Sequence, residues 1–177
     1  SSTVIKLSLA KSLFMQLRLS PAIKGLITAV LMIAVALVID AKKEAADPRL
    51  QYLIFIVYGA GIIWTLLSFR QSAAFNGKFA ELFSQGFKCF IVVTLIMVAF
   101  TAVFIQLHPE FALQEAAYQR EQLVKLNDKT PTEIEDLVAR VKKQYPVRYI
   151  SASIFGYLIL GAAVTAVASV LLTRRRY

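Results

Sequence analysis

The chain has 177 residues, 58% of them apolar and 18% charged, with a mean hydropathy of +0.62 and a net charge of +9. A soluble domain of this size carries about 25% charged residues, and here the apolar residues fall in long blocks rather than at strand or amphipathic-helix spacing, which points to the bilayer as solvent. The single cysteine, Cys89, excludes an intramolecular disulfide, and neither a C-x-x-C nor a zinc-type spacing occurs.

In chain order, residues 4–18 place Leu7, Ala10, Leu13, Phe14 and Leu17 on one helical face, with Lys11, Ser12 and Gln16 opposite. This predicts an amphipathic interfacial helix over residues 1–20, lying on anionic lipid or against a partner. These residues are too polar for the apolar core of a signal peptide. The first span is expected over 21–39, with Pro21 at an early helical position and Lys24 snorkelling from the first turn toward the headgroups. The second span is expected over 50–69, the third over 89–107 and the fourth over 150–173. About 20 helical residues cross a hydrocarbon core of about 30 Å.

Between spans two and three lies SFRQSAAFNGKFAELFSQGFK, Ser68 to Lys88, in which phenylalanines recur at 75, 79, 83 and 87. The spacing of Phe75, Phe79, Leu82, Phe83 and Phe87 predicts a separate amphipathic elbow at the membrane surface. Gly77 and Gly86 bend the chain into and out of it, and Arg70, Lys78 and Lys88 stand at headgroup depth. Residues 108–149 predict two helices outside the hydrocarbon. The second opens on Thr130, Pro131 and Glu133 as a capping box and carries Ile134, Leu137, Val138, Val141 and Tyr145 along one face as candidate partner contacts. Pro146 is expected to end it.

The charges orient the chain. Residues 1–24, the 70–88 connection and the basic end Arg174, Arg175, Arg176 carry +4, +2 and +3, the whole net charge, whereas 40–49 and 108–149 are neutral. The positive-inside rule therefore predicts cytoplasmic N- and C-termini and a two-helix extracytoplasmic segment between spans three and four. The expected fold class is an all-α integral membrane protein with four transmembrane helices.

Chemistry is sparse. His108-x-Glu110 is the nearest approach to an acid–base or metal pair, but that spacing on a continuous helix points the two side chains apart, and His108 is the only histidine. No Asp, Glu or Arg lies within a span, and P-loop, dinucleotide, nucleophile-elbow and zincin motifs are absent. No catalytic residue, cofactor, metal or nucleic acid is expected. Small residues instead mark helix contacts. Gly161, Thr165 and Ser169 recur every fourth position of span four, and Gly59-Ala60-Gly61 in span two is a candidate mate for them. The same stripe could serve self-association as a dimer.

The stretches IKGLITAVLMI (Ile23–Ile33), SFR (Ser68–Arg70) and FAELFSQGFK (Phe79–Lys88) resemble a Bacteroidota family of four-span inner-membrane proteins catalogued as a domain of unknown function. The resemblance covers residues 21–177 and implies the four-span fold, a place in the bacterial inner membrane and a link to envelope assembly. It supplies no catalytic residues. The expected function is that of a non-enzymatic accessory or scaffold subunit of an envelope-associated complex, with membrane lipids and another membrane protein as partners. The rival is a small transporter or lipid-handling protein that uses Tyr58, Gly59, Gly61 and Tyr157 as a path lining.

Overall fold

The structure, a computed structural model, describes residues 19–42 and 48–174. The interfacial helix expected over 1–20 lies outside the described residues except for its last two positions, and so do Arg175 and Arg176. Five helices follow in order: α1 (Pro21–Ala41), α2 (Pro48–Arg70), α3 (Phe79–Leu107), α4 (Glu110–Leu126) and α5 (Pro131–Arg174). Of these, α1, α2, α3 and α5 are long and apolar enough to cross a membrane.

Local chemistry sets most of the helix ends. Ser20 caps α1 by accepting a hydrogen bond from the Ile23 backbone N–H at 3.3 Å, with Pro21 following where no N–H is needed. The 71–78 turn is folded by the Ser72 hydroxyl, which donates to the Phe69 carbonyl at 2.7 Å, and by Gly77 at φ 87°, a left-handed conformation suited to glycine. The Asn76 backbone and side-chain N–H groups both donate to Glu81, at 2.8 and 3.0 Å, which fastens the turn to the first turn of α3. Asn127 ends α4 in the left-handed conformation. The capping box expected at Thr130 forms as predicted: Glu133 accepts from the Thr130 N–H at 2.8 Å, and the Glu133 N–H donates to the Thr130 hydroxyl at 3.4 Å.

Two expected boundaries are corrected. The stretch from Phe79 to Lys88 is not a separate elbow, because α3 runs unbroken from Phe79 to Leu107 and Gly86 sits inside it without a bend. Only 71–78 forms the connection. Pro146 likewise does not stop a helix, since α5 continues through it for 44 residues, from the outer segment to the end of the last span. One lost N–H is tolerated there because the chain beyond must stay helical to satisfy its backbone in lipid.

The four spanning helices pack so that α2 and α3 touch each other and both flank helices, α1 and α5. Beyond the far end of the bundle, α4 packs on the first part of α5 as a hairpin. The core is formed by Ala29 and Met32 of α1, Tyr58, Ile62 and Leu66 of α2, and Leu82, Cys89, Phe90, Val93 and Met97 of α3, with Phe75 folded in from the turn. Lipid tails are as apolar as leucine, so burial alone does not drive these helices together, and close van der Waals contact must do so.

Glycines supply that contact. A Cβ at Gly25 would stand 2.7 Å from the Cys89 carbonyl oxygen and 3.2 Å from Val92, so α1 meets the α3 backbone directly. A Cβ at Gly61 would collide with Thr28, one at Gly86 with Thr165, and one at Gly161 with the Tyr58 hydroxyl and the Phe90 ring. By contrast, Gly59 and Gly156 face open space. Replacing Gly25 or Gly86 by alanine is therefore expected to lower unfolding stability in detergent by about 1–3 kcal/mol through overpacking. Gly59→Ala is expected to be neutral or to gain up to about 1 kcal/mol from helix propensity. Urea-titrated helicity of the three variants checks this, and an equal response at all three positions would refute the contact assignment.

Candidate functional site

Inside the bundle most hydroxyls are turned back onto their own helix. Thr28 donates to the Lys24 carbonyl at 2.8 Å, Thr94 to the Phe90 carbonyl at 2.7 Å and Thr173 to the Ser169 carbonyl at 2.7 Å. Thr65 donates to the Gly61 carbonyl at 2.9 Å, and its oxygen lies 3.4 Å from the sulfur of buried Cys89. Thr165 and Ser169 are the exceptions, since both hydroxyls are fully buried without a hydrogen-bond partner among the described residues. The Thr165 side chain is seated against Gly86, so the residue serves shape while its polar atom is left unmet.

The stripe Gly161, Thr165 and Ser169 is buried within the chain. Gly161 meets Tyr58 of α2 and Phe90 of α3, not the Gly59-Ala60-Gly61 patch expected as its mate, and Gly61 belongs to the α1 contact instead. Tyr58 is fully buried, and its phenol donates to the Tyr157 carbonyl at 2.8 Å, while the two rings meet edge to face at 5.7 Å. The residues named as a path lining are thus divided: Tyr58 and Tyr157 are joined across the α2–α5 contact, Gly61 faces α1, and Gly59 faces outward.

Lys24 departs from expectation. Its side chain is 8% exposed and does not reach outward, because its ammonium lies 5.6 Å from the centre of the Trp64 ring. Among the other basic candidates, Arg70 closes α2, Lys78 caps α3 and Arg174 ends α5, all at the same end of the bundle. Lys88 stands nine positions into α3, about 14 Å along its axis. Of the phenylalanines between spans two and three, Phe75 tucks beneath the bundle against Phe69 at 5.9 Å, whereas Phe79 and Phe87 point outward.

At the opposite end the hairpin uses the amphipathic face of α5 for its own packing. Ile134 is 7% exposed, and Leu137, Val138, Val141 and Tyr145 are half-buried or nearly so. Arg120 pairs with Glu135 across the hairpin. The apolar side chains left outward are instead on α4: Leu113, Tyr118 and Val124, each at least half exposed. No periodic signal marks these in the sequence, because the apolar residues of α4 are spread around the helix.

His108 and Glu110 do converge, with Nδ1 2.7 Å from Oε1. The expectation of divergence assumed one helix, whereas α3 ends before His108 and α4 begins at Glu110, so the pair straddles a break. Two rings flank His108, Phe104 at 4.4 Å and Phe111 at 5.7 Å. The Glu110 carboxyl is held below the usual range, first by its own backbone N–H at the start of α4 and then by the His108 imidazole. The pair is a local clasp between two helices. Among the described residues no group of three or more His, Cys, Asp or Glu converges as a metal site would require.

The family described as "Protein of unknown function (DUF4199)" matches residues 23–174, which takes in all four spans and the hairpin. No curated protein and no solved structure matches the chain.

A depressed carboxyl contributes stability above its unfolded value, about pH 4.3, and that contribution is lost as pH falls through the lower folded value. Wild type is therefore expected to melt slightly above Glu110→Gln at pH 6, with the gap closing toward about pH 3. Thermal melts of both in detergent across this range test the clasp, and a gap that does not change with pH would overturn it.

Proposed function

The chain belongs to the DUF4199 family, and from that premise we propose that it is a non-enzymatic accessory or scaffold subunit of an envelope-associated complex in a bacterial inner membrane. The family carries no activity to transfer, so the reading rests on geometry and charge. The observation that carries it is the set of exposed apolar side chains on α4, with Leu113 and Val124 on one flank of the helix and Tyr118 on the other. This helix lies beyond the end of α3 at Leu107, and in the four-span arrangement it stands outside the hydrocarbon. It nevertheless leaves Leu113 50%, Tyr118 57% and Val124 57% exposed after packing against α5. Lipid tails do not cover side chains at that height, and a partner protein is the remaining apolar surface.

The inner-membrane placement follows from the resemblance to Bacteroidota proteins, and the sidedness from the basic end of the bundle. Residues 1–24, the 70–88 connection and the Arg174–Arg176 run would face the cytoplasm, and the α4–α5 hairpin would face away from it. The joined Tyr58–Tyr157 pair favours a subunit over a transporter, because the expected path between α2 and α5 is occupied by two rings in edge-to-face contact, with the Tyr58 phenol bonded to the Tyr157 backbone carbonyl.

The only native cysteine is buried in the bundle, so an introduced cysteine reports its own position. With a membrane-impermeant maleimide applied to whole spheroplasts, Tyr118→Cys is expected to label and Lys78→Cys to label only after lysis. The reverse pattern would invert the topology. A photo-crosslinking residue in place of Leu113 is expected to give one discrete heavier adduct in native membranes, abolished by Val124→Glu on the same flank of α4. A chain that yields no adduct and leaves several mild detergents alone and monomeric would end the scaffold reading.

A further inference from the structure

Among the described residues Lys24 is the one ammonium drawn into the bundle, at 8% exposed. A cation at the edge of the hydrocarbon is costly unless it is paired. Among the described residues no carboxylate lies within ion-pair distance of it. The neighbouring sequence does not offer one either, because residues 1–18 and 175–177 contain no Asp or Glu side chain. Glu81 is the one acid in the basic segments, and it is engaged by Asn76. The Trp64 face offers Lys24 a weak attraction but no negative charge.

The same tryptophan belongs to a second feature. A groove of about 290 Å³ runs along the outer side of the α1–α2 contact. Its floor is Thr28 seated on Gly61; Ile27 and Leu31 form one wall, Val57 and Ala60 the other, and Trp64 lies at the end toward Lys24. The lining is almost wholly apolar and opens sideways, where lipid tails lie. Lys24 stands one helical turn before Thr28, within the first turn of α1 and so at the start of the first span. An apolar trough and an unmet cation at its headgroup end match the two parts of one molecule.

We propose that the groove between α1 and α2 holds an acyl chain of an anionic phospholipid whose phosphate pairs with Lys24 beside Trp64. The occupant is a lipid rather than another helix because the charge to be met is positive and set at the start of the first span, with the apolar trough leading from it along α1 and α2. The site does not depend on the accessory role proposed above.

Trp64 is the only tryptophan, so its fluorescence reads this site alone. The full chain is reconstituted into phosphatidylcholine vesicles containing a minor fraction of acyl-brominated lipid, either phosphatidylglycerol or phosphatidylcholine. Brominated phosphatidylglycerol is expected to quench Trp64 at about a fivefold lower mole fraction, the ratio one lysine at an anionic surface supplies. Lys24→Met is expected to bring the two lipids level, Lys24→Arg to keep the preference, and Ala60→Leu, which fills the trough from an exposed position, to reduce quenching by both. Circular dichroism establishes that each variant keeps its helix content. Equal quenching of wild type by the two lipids, or a preference that survives Lys24→Met, would overturn the proposal. So would a Trp64 that neither lipid reaches, the result expected if a second copy or another protein covers the groove.

Discussion

Everything in the bundle hangs on how near its helices are allowed to come. In lipid there is no hydrophobic gain from moving a leucine off the tails and onto another helix, so cohesion comes from contact distance. Gly25, Gly61, Gly86 and Gly161 each remove a side chain where a neighbour would otherwise be held off, and together they tie α1 to α2 and α3, and α5 to α2 and α3. Threonine completes two of these contacts, Thr28 on Gly61 and Thr165 on Gly86. A β-branched residue is stiff in a helix and offers a methyl of fixed position, which suits a shallow glycine notch. Toward the hairpin end, where no such glycine occurs, Met32 and Met97 fill the interior, and their flexible side chains suit less regular spacing.

The polar content follows from the same constraint. A threonine used for its methyl brings a hydroxyl into a dry interior, where an unbonded group costs about 1–3 kcal/mol. Thr28, Thr65 and Thr94 avoid this by donating to the preceding turn of their own helix. Thr165 is turned by its seat on Gly86 and cannot, and Ser169 one turn on shares its condition. These two hydroxyls are the cost of the α3–α5 contact. The Tyr58 phenol is different in kind, because it finds a carbonyl on another helix and so fixes α2 against α5 in rotation as well as distance.

Length and hydropathy made the four spans legible, and Pro21 and the Thr130–Glu133 capping box made two helix starts legible, because both signals are local. The failures were tertiary. Gly86 carries the same letter whether it hinges a chain or admits a neighbour, and only Thr165, far along the sequence, decides between them. The mixed composition of Phe79–Lys88 read as a surface helix because its apolar face is amphipathic, yet that face is the first part of α3, with Leu82 wholly buried. The stripe Gly161, Thr165, Ser169 announced a contact without naming its mate, since spacing on one helix holds no information about the next. His108 and Glu110 met because a helix break placed them so, and no periodicity argument survives a break.

The continuity of α5 through Pro146 joins what the sequence had divided. At 44 residues it is about 66 Å long, roughly twice the hydrocarbon thickness, so one element carries both the Gly161–Thr165 contacts and half of the outer hairpin. The orientation of α4, and of the exposed apolar side chains it carries, is therefore set by glycine contacts within the bundle rather than by a flexible link. Two features hold this geometry at the membrane boundary. The His108–Glu110 clasp fastens the end of α3 to the start of α4, and the helix that α4 leans on is anchored below by Tyr58. Pro146 stands between those anchors, where the missing N–H leaves one turn less constrained than its neighbours. The hairpin thus joins the packed core at two places, the short clasped junction between α3 and α4 and the continuous α5, and only the second contains a proline.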